Sequence, residues 1–494
     1  MSGARRRRAG ARGWRSGWRI ALLALLATLA AAGSALAHGA LRRSQPASGA
    51  TLDTVPRLLR LTFNEPVELA VAALELAAAD GTPVALSPLR LERDSAQVLL
   101  ADVTGPLAAG RYRVSWRVVG RDGHPVRGTF SFTVAPGAQG IATAAPPAGA
   151  PPATVAPARD TAGAAVRPAP PGEEREPLPS EAFDAESPLY AALRWATLLT
   201  LVPLLGVVAF RWLVLHPLGT AAGGAYAPLV EGAAARAWSM GLALSAAVAA
   251  PLLARLAAQG VATFGVGGLL DLRQLLGLVR GTGWGTGWLL QAGGLAVVVT
   301  GLAHARRSGG ATGWRAAAAG AGFIALGIAL SGHAAAAPLV GLALASAAAH
   351  VLAAAGWLGM LLVVLVAGLP AARRLADGER VRGAAALVRT FSRAALVCAA
   401  VLIVSGVVNA WLELGSIGAL WSSAYGRTLL VKLALLLPVA LLGAYNWRRV
   451  VPALEEANGA ARLRRTATIE LAFAALVLLA TAVLVATPTP LEGG

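Results

Sequence analysis

Leu339-Val-Gly-Leu-Ala-Leu-Ala-Ser-Ala-Ala-Ala-His350-Val-Leu-Ala-Ala-Ala-Gly-Trp357-Leu-Gly-Met-Leu-Leu-Val-Val-Leu-Val-Ala-Gly368 holds a single ionisable side chain, His350. A helix rises about 1.5 Å per residue, so about 20 apolar residues cross a hydrocarbon core of about 30 Å. This run is therefore long enough to span. Seven others resemble it, at 190–215, 237–258, 284–305, 315–336, 391–413, 427–447 and 466–487. The run at 237–258 is interrupted by Pro251 and Arg255, and 260–283 reads as a partly helical loop. Together they predict an all-α polytopic membrane domain of about eight helices over 187–494. Composition agrees: the 494 residues are 56% hydrophobic and 14% charged, whereas a soluble chain is about 45–50% apolar and about 25% charged. An ordinary soluble enzyme is excluded, and an enzyme is not the expectation. The net charge of +18 comes without a zinc finger or an RNP signature, so nucleic acid is not the expected partner. The lone Cys398 rules out an intrachain disulfide and speaks against a cysteine metal site.

Loop arginines orient the spans. Arg306, Arg307 and Arg315, then Arg373, Arg374, Arg380, Arg382 and Arg389, then Arg448, Arg449, Arg462, Arg464 and Arg465 follow the third, fifth and seventh runs. Cytoplasmic loops are enriched in such residues, which places both mature termini outside the cytoplasmic (inner) membrane. Arg273 and Arg280 are the exception. Residues 1–37 read as a signal peptide: Arg5 to Arg8, Arg12, Arg15 and Arg19, an apolar stretch to Ala32, then Ala35-Leu-Ala37 for cleavage. Cleavage there makes His38 the first mature residue.

Between 38 and 136 the pattern changes to short alternating runs. Residues 58–63, 71–77, 97–100, 112–119 and 129–134 read as strands, separated by Asp80-Gly81, Gly105-Pro106 and Asp122-Gly123. An all-β sandwich or barrel follows. An N-terminal His offers an amine and an imidazole from one residue. Asp122 and His124 are two apart, so in extended chain they point to one side. An amine, two imidazoles and a carboxylate suit Cu(II), which favours tetragonal N and O ligands. Read alone, Asp-Gly-His is more often a turn with a solvated His.

His38-Gly-Ala-Leu, Ser44-Gln-Pro46-Ala-Ser-Gly49, Leu61-Thr-Phe63-Asn-Glu65-Pro66-Val67, Gly110-Arg-Tyr112-Arg-Val-Ser-Trp116 and Asp122-Gly-His124-Pro-Val-Arg-Gly128-Thr-Phe130-Ser-Phe132 run in order through the whole segment. It resembles the CopC copper-resistance domain. The resemblance implies a Greek-key β-barrel that binds Cu(II) through His38, Asp122 and His124, with Glu65 beside the site. Ala40 stands where some members carry another His. The three Met residues lie outside the segment, so a Cu(I) thioether site is not expected.

Residues 137–186 are rich in Ala, Pro and Gly and then in Glu, and read as an extended spacer. Beyond it, ionisable groups inside a bilayer are costly and point to function. His350 lies near mid-membrane and His333 near the outer end of the 315–336 run, so the two are expected to line one path inward. Lys432, Glu470, His216 and His304 lie nearer helix ends, where snorkelling, pairing with loop Arg or an interfacial place accounts for them. Gly322 and Gly327 suggest close helix packing.

Ser331-Gly-His333-Ala-Ala, His350 through Trp357-Leu-Gly359, Phe391-Ser-Arg393, Ser405-Gly406-Val-Val-Asn409, Tyr425-Gly-Arg427 through Lys432, and Arg465 with Glu470 resemble the CopD membrane domain over about 187–487. The whole chain is then similar to fused CopC–CopD copper proteins. The resemblance implies a copper homeostasis protein of the cell membrane. On the first reading, motivated by the tethered fusion, the exported domain captures Cu(II) and the helices import copper, with copper ions and membrane lipid as partners. No P-loop or phosphorylated-Asp motif is visible, so any transport is passive or ion-coupled. The alternative is a tethered buffer, or a protein that delivers copper to periplasmic chaperones or cuproenzymes without transport. A third reading is an oxidoreductase with haem held by His333 and His350.

Overall fold

The computed structural model describes residues 41–139 and 187–490, apart from short loop positions at 221–224, 309, 338, 455, 457 and 458. The signal peptide, His38 and all of the spacer beyond Gln139 lie outside the described residues.

The N-terminal part is a sandwich of two sheets. One has the order β1 (Leu41–Gln45), β3 (Leu58–Phe63), β7 (Ser95–Asp102), β6 (Arg90–Glu92). The other runs β2 (Thr51–Thr54), β9 (Pro125–Gln139), β8 (Gly110–Val119), β4 (Ala73–Ala78), β5 (Pro83–Val84). All pairings are antiparallel except β2 with β9. Alternation sets the faces: in β3 Leu59, Leu61 and Phe63 point inward, and in β8 Tyr112, Val114, Trp116 and Val118 do. Phe63 meets Trp116 edge-on at 5.1 Å, and Tyr112 stacks on Phe132 at 5.6 Å. Trp116 lies over its cross-strand partner Gly128, where a Cβ would come within 2.5 Å of the indole. The sandwich thus needs glycine at that position.

The strands expected from the sequence are present with two shifts. The 71–77 strand begins only at Ala73, because Leu69–Val71 is a 3-10 turn whose Val71 packs on the helical part. The last strand runs to Gln139, past position 136. Strands β1, β2, β5 and β6 had too few residues to show a period.

The remainder holds eight helices long and apolar enough to cross a membrane: α1 (Pro188–Thr220), α2 (Ala227–Phe264), α3 (Gly283–Ser308), α4 (Ala311–Leu330), α5 (Val340–Ala372), α6 (Gly378–Leu414), α7 (Ala424–Val450) and α8 (Gly459–Leu484). Pro251 does not break α2. Apolar helices tolerate a proline when neighbours satisfy the freed groups, and Arg255 is buried rather than interrupting, donating from Nη1 to Gln291 Oε1 at 3.3 Å. The 260–283 stretch contains the 3-10 turn Val266–Leu270 and the short helix Leu272–Gly281. The 315–336 run ends early, at Leu330, and His333 sits in a 3-10 turn beyond it.

Glycines let the helices touch. Gly287, Gly294 and Gly301 of α3, seven apart, face Gly327, Gly320 and Gly313 of α4, and a Cβ on any of them would fall within 2.7 Å of a neighbouring atom. Close backbone approach of this kind replaces the hydrophobic drive that lipid removes. Gly327 behaves as the sequence suggested, whereas Gly322 has nothing within 4 Å and takes no part in helix packing. Val397, Val404, Val407 and Trp411 of α6 point outward, as expected of a lipid-facing surface.

Candidate functional site

The sandwich sits on one end of the helix bundle. Arg127 Nη2 donates to the carbonyls of Ala262 and Thr263 at the C-terminal end of α2, at 2.7 and 3.2 Å. A cation is favoured at that end of a helix. Arg117 lies over the Phe264 ring, and Gly283 at the start of α3 donates its N–H to Glu68 Oε1 at 3.1 Å. Val71 and Val119 bury themselves against Leu278 and Trp284. This is the end opposite the arginine-rich loops, which follow α3, α5 and α7.

The turn between β8 and β9 is held from both sides. Asp122-Gly123-His124 is not extended, as the two-residue spacing suggested, but turned, with Gly123 at φ +89°. Asp122 Oδ1 accepts the His124 backbone N–H at 3.0 Å, and Oδ2 contacts His124 Nδ1. The turn therefore brings carboxylate and imidazole together by a different geometry. Gly123 is required twice over. Its φ is left-handed, and a Cβ would lie 2.6 Å from the Trp284 ring. Its carbonyl accepts from Gln259 Nε2 at 2.6 Å, and Gln259 Oε1 accepts from the Tyr190 hydroxyl at 2.5 Å.

Against this turn the α4–α5 connection sets His333. Its Nδ1 lies 3.5 Å from Asp122 Oδ2, and its ring stacks on His124 at 5.6 Å between centroids and 9° between planes. Asp122, His124 and His333 are all buried, and one possible ligand atom from each lies within 4.8 Å of the others. Burial acts to raise the Asp122 carboxyl, but the His124 and His333 rings beside it outweigh that and hold it well below the usual carboxylate range. Glu65 is also buried, its carboxyl against Gly120, which accepts the Gly123 N–H. Two imidazoles and a carboxylate form a donor set suited to Cu(II).

The sequence places His333 and His350 on one inward path, and the structure sets His333 against the Asp122–His124 turn as well. His350 keeps to the interior of the bundle: Nδ1 is 3.1 Å from Ser405 Oγ, and the ring lies against Gly406. A haem held by both would need them to face one another, but His333 faces His124 on one side and the edge of Tyr425 on another. Tyr425 in turn donates to Glu413. The sequence reading missed Gln259, Trp284, Tyr425 and Glu413. Nothing but the docking of two separate segments brings them to the site.

Comparison with known families agrees with this architecture. The CopC domain model matches residues 41–135, and the model for copper resistance protein D, CopD, matches 385–484. The chain belongs to the fused CopC–CopD copper resistance and transport proteins. The match to the CopD domain model covers most of α6 and all of α7 and α8, so His333 and His350 lie outside it. Copper transport protein CutJ of Bacillus subtilis (strain 168) is 25% identical over 487 residues, covering 97% of this chain and 79% of CutJ. Copper resistance protein C of Xanthomonas campestris pv. juglandis is 32% identical over 115 residues, 22% of this chain and 90% of that protein. The crystal structure of CopC from Methylosinus trichosporium OB3b is 31% identical, covering 20% of this chain and 95% of that one, with a TM-score of 0.19.

The CopC domain's ligand-bearing turn is gripped by the helices, and this gives a first expected result. Gln259→Ala strands the Gly123 carbonyl without its donor, a loss of about 1–3 kcal/mol. Amide exchange of residues 120–125 in the full-length protein should then quicken by about 5- to 150-fold, since exchange reports local opening. Unchanged exchange would show that Gln259 does not hold the turn.

Proposed function

We propose that this protein imports copper across the cytoplasmic membrane, with the CopC domain capturing Cu(II) on the extracytoplasmic side. The observation that carries the reading is the meeting of Asp122 and His124 with His333, a residue of the helical part. A purely exported buffer has no use for a ligand supplied by the membrane domain. A handover site has. His38, with its amine and imidazole, would complete the ligand set, and Glu65 would support it from beside the turn. The spacer keeps the donor tethered at high local concentration. The extracytoplasmic placement is supported by the position of the CopC domain opposite the arginine-rich loops.

Below His333 the polar residues Tyr425, Glu413, Lys432, His350 and Ser405 form a succession. Tyr425 touches His333 and Glu413, Lys432 stands two turns beyond Tyr425 on α7, and His350 bonds Ser405. His350 is ten residues into α5, about 15 Å below its outer end. This is the route along which imported copper would pass.

Cytoplasmic copper, measured by metal-resolved fractionation at fixed external copper, should rise when the chain is expressed. His350→Ala should remove most of that rise while Cu(II) binding by the purified protein stays intact. Undiminished uptake by a well-expressed His350→Ala variant would overturn the route. No rise with the parent chain, and copper held outside, would favour the buffer or delivery reading instead.

A further inference from the structure

Glu470 lies in α8, buried to 2% exposure. Oε1 accepts from Trp357 Nε1 at 3.2 Å, and Oε2 accepts from Asn446 Nδ2 at 3.0 Å. The Asn446 amide is oriented in turn, because its Oδ1 accepts from the Thr466 hydroxyl at 2.5 Å. Gly443 closes over the carboxyl, and a Cβ there would stand 3.4 Å from Oε1. Arg462, Arg464 and Arg465 begin five residues away along the helix, which sets the carboxyl about 8 Å inward from the arginine-rich end.

Two features distinguish this group from a helix-packing carboxyl. Among the described residues it forms no ion pair, although an ionised carboxylate in an apolar surround is expensive without a counter-ion. The groups facing it from α5, α7 and α8 are Trp357, Asn446, Gly443 and, through Asn446, Thr466, none of them charged. In addition, both donors stand on π-helical turns, Trp357 in Ala355–Gly359 and Asn446 in Asn446–Val450. Such turns are rare and are frequent at functional sites. Here two of them, on different helices, aim one donor each at the two oxygens of a single carboxylate. Desolvation favours the neutral acid and the two donors favour the anion, so the surroundings offer something to each form.

We infer that Glu470 is a proton-binding site on the inner half of the membrane domain, which binds a proton and gives it up to the arginine-rich side as the protein turns over. The reaction is carboxylate plus proton to carboxylic acid, with no redox partner. Its link to copper movement rests on the import reading; the proton site itself does not.

Infrared difference spectroscopy of the full-length protein in nanodiscs, taken across a pH series, tests the site directly. A carbonyl-stretch band of a protonated carboxylic acid should appear as pH falls and should be absent from Glu470→Gln. Asn446→Ala should keep the band at a shifted frequency, because one hydrogen bond to the group is gone. That variant carries the test if Glu470→Gln fails to fold. A band that survives unchanged in Glu470→Gln, that ignores Asn446→Ala, or that never appears in the parent protein would overturn the proposal. In proteoliposomes containing a pH-sensitive dye, the proton movement that accompanies copper uptake should fall at least tenfold in Glu470→Gln. Absence of copper flux in the parent protein would count against import, and the infrared result would still decide the proton site. Copper flux with undiminished proton movement in Glu470→Gln would overturn the coupling.

Discussion

His333→Ala in the full-length protein lowers Cu(II) affinity by about tenfold to a hundredfold, the loss typical even of outer partners at a metal site. In the proposed site it would be a ligand itself. Its Nδ1 is 3.5 Å from the Asp122 carboxylate, and its ring is parallel to His124. Competition titration against a Cu(II) chelator measures the affinity, and electron paramagnetic resonance counts coordinated imidazoles. One imidazole fewer in the variant, with the CopC domain still folded, is the expected pair of results. His350→Ala serves as the control and leaves both unchanged. Equal affinity and an identical spectrum for His333→Ala would mean that the CopC domain binds copper without help from the helices. Capture and membrane passage would then be separate events.

The second large effect concerns folding. Gly359 in α5 crosses Gly206 in α1 so closely that a Cβ on Gly359 would lie 2.2 Å from the Val202 carbonyl oxygen, and one on Gly206 would lie 2.3 Å from the Gly359 carbonyl carbon. The obstacle in each case is backbone, which cannot swing aside as a side-chain tip can. Gly359→Leu should therefore cost about 3 kcal/mol or more, at the upper end of overpacking penalties. Thermal unfolding of the detergent-purified protein and its monodisperse yield measure this. Gly322→Leu is the matched control: it changes the same residue type within an apolar helix, but no atom lies within 4 Å. A Gly359→Leu protein as stable as the Gly322→Leu protein would sink the claim that this crossing holds α1 and α5 together.

The two glycines also mark the limit of what composition reveals. Gly322 and Gly327 look alike in the sequence, five residues apart in one apolar run, yet only Gly327 meets a neighbour. Which side of a uniformly apolar helix faces protein rather than lipid leaves almost no trace, because both sides are satisfied by the same residue types. Pro251 is a similar case. It reads as a break, but α2 runs through it, because in a bundle the neighbours take up the groups that a proline frees.

The sequence by itself determined the two-part architecture, the eight apolar spans and the family. Each of these is a local matter. A long apolar run is fit to cross a bilayer, and alternating residues suit a half-buried strand. It also singled out Asp122 and His124, because they are neighbours in the chain. Only the tertiary structure decided that His333 joins them, that Gln259 and Trp284 grip their turn, and that Trp357, Asn446 and Glu470 form one cluster. These residues stand far apart in the chain, between 24 and 211 positions for the pairs that touch. No period or spacing connects them. They meet because the sandwich docks on one end of the bundle and because α5, α7 and α8 pack side by side.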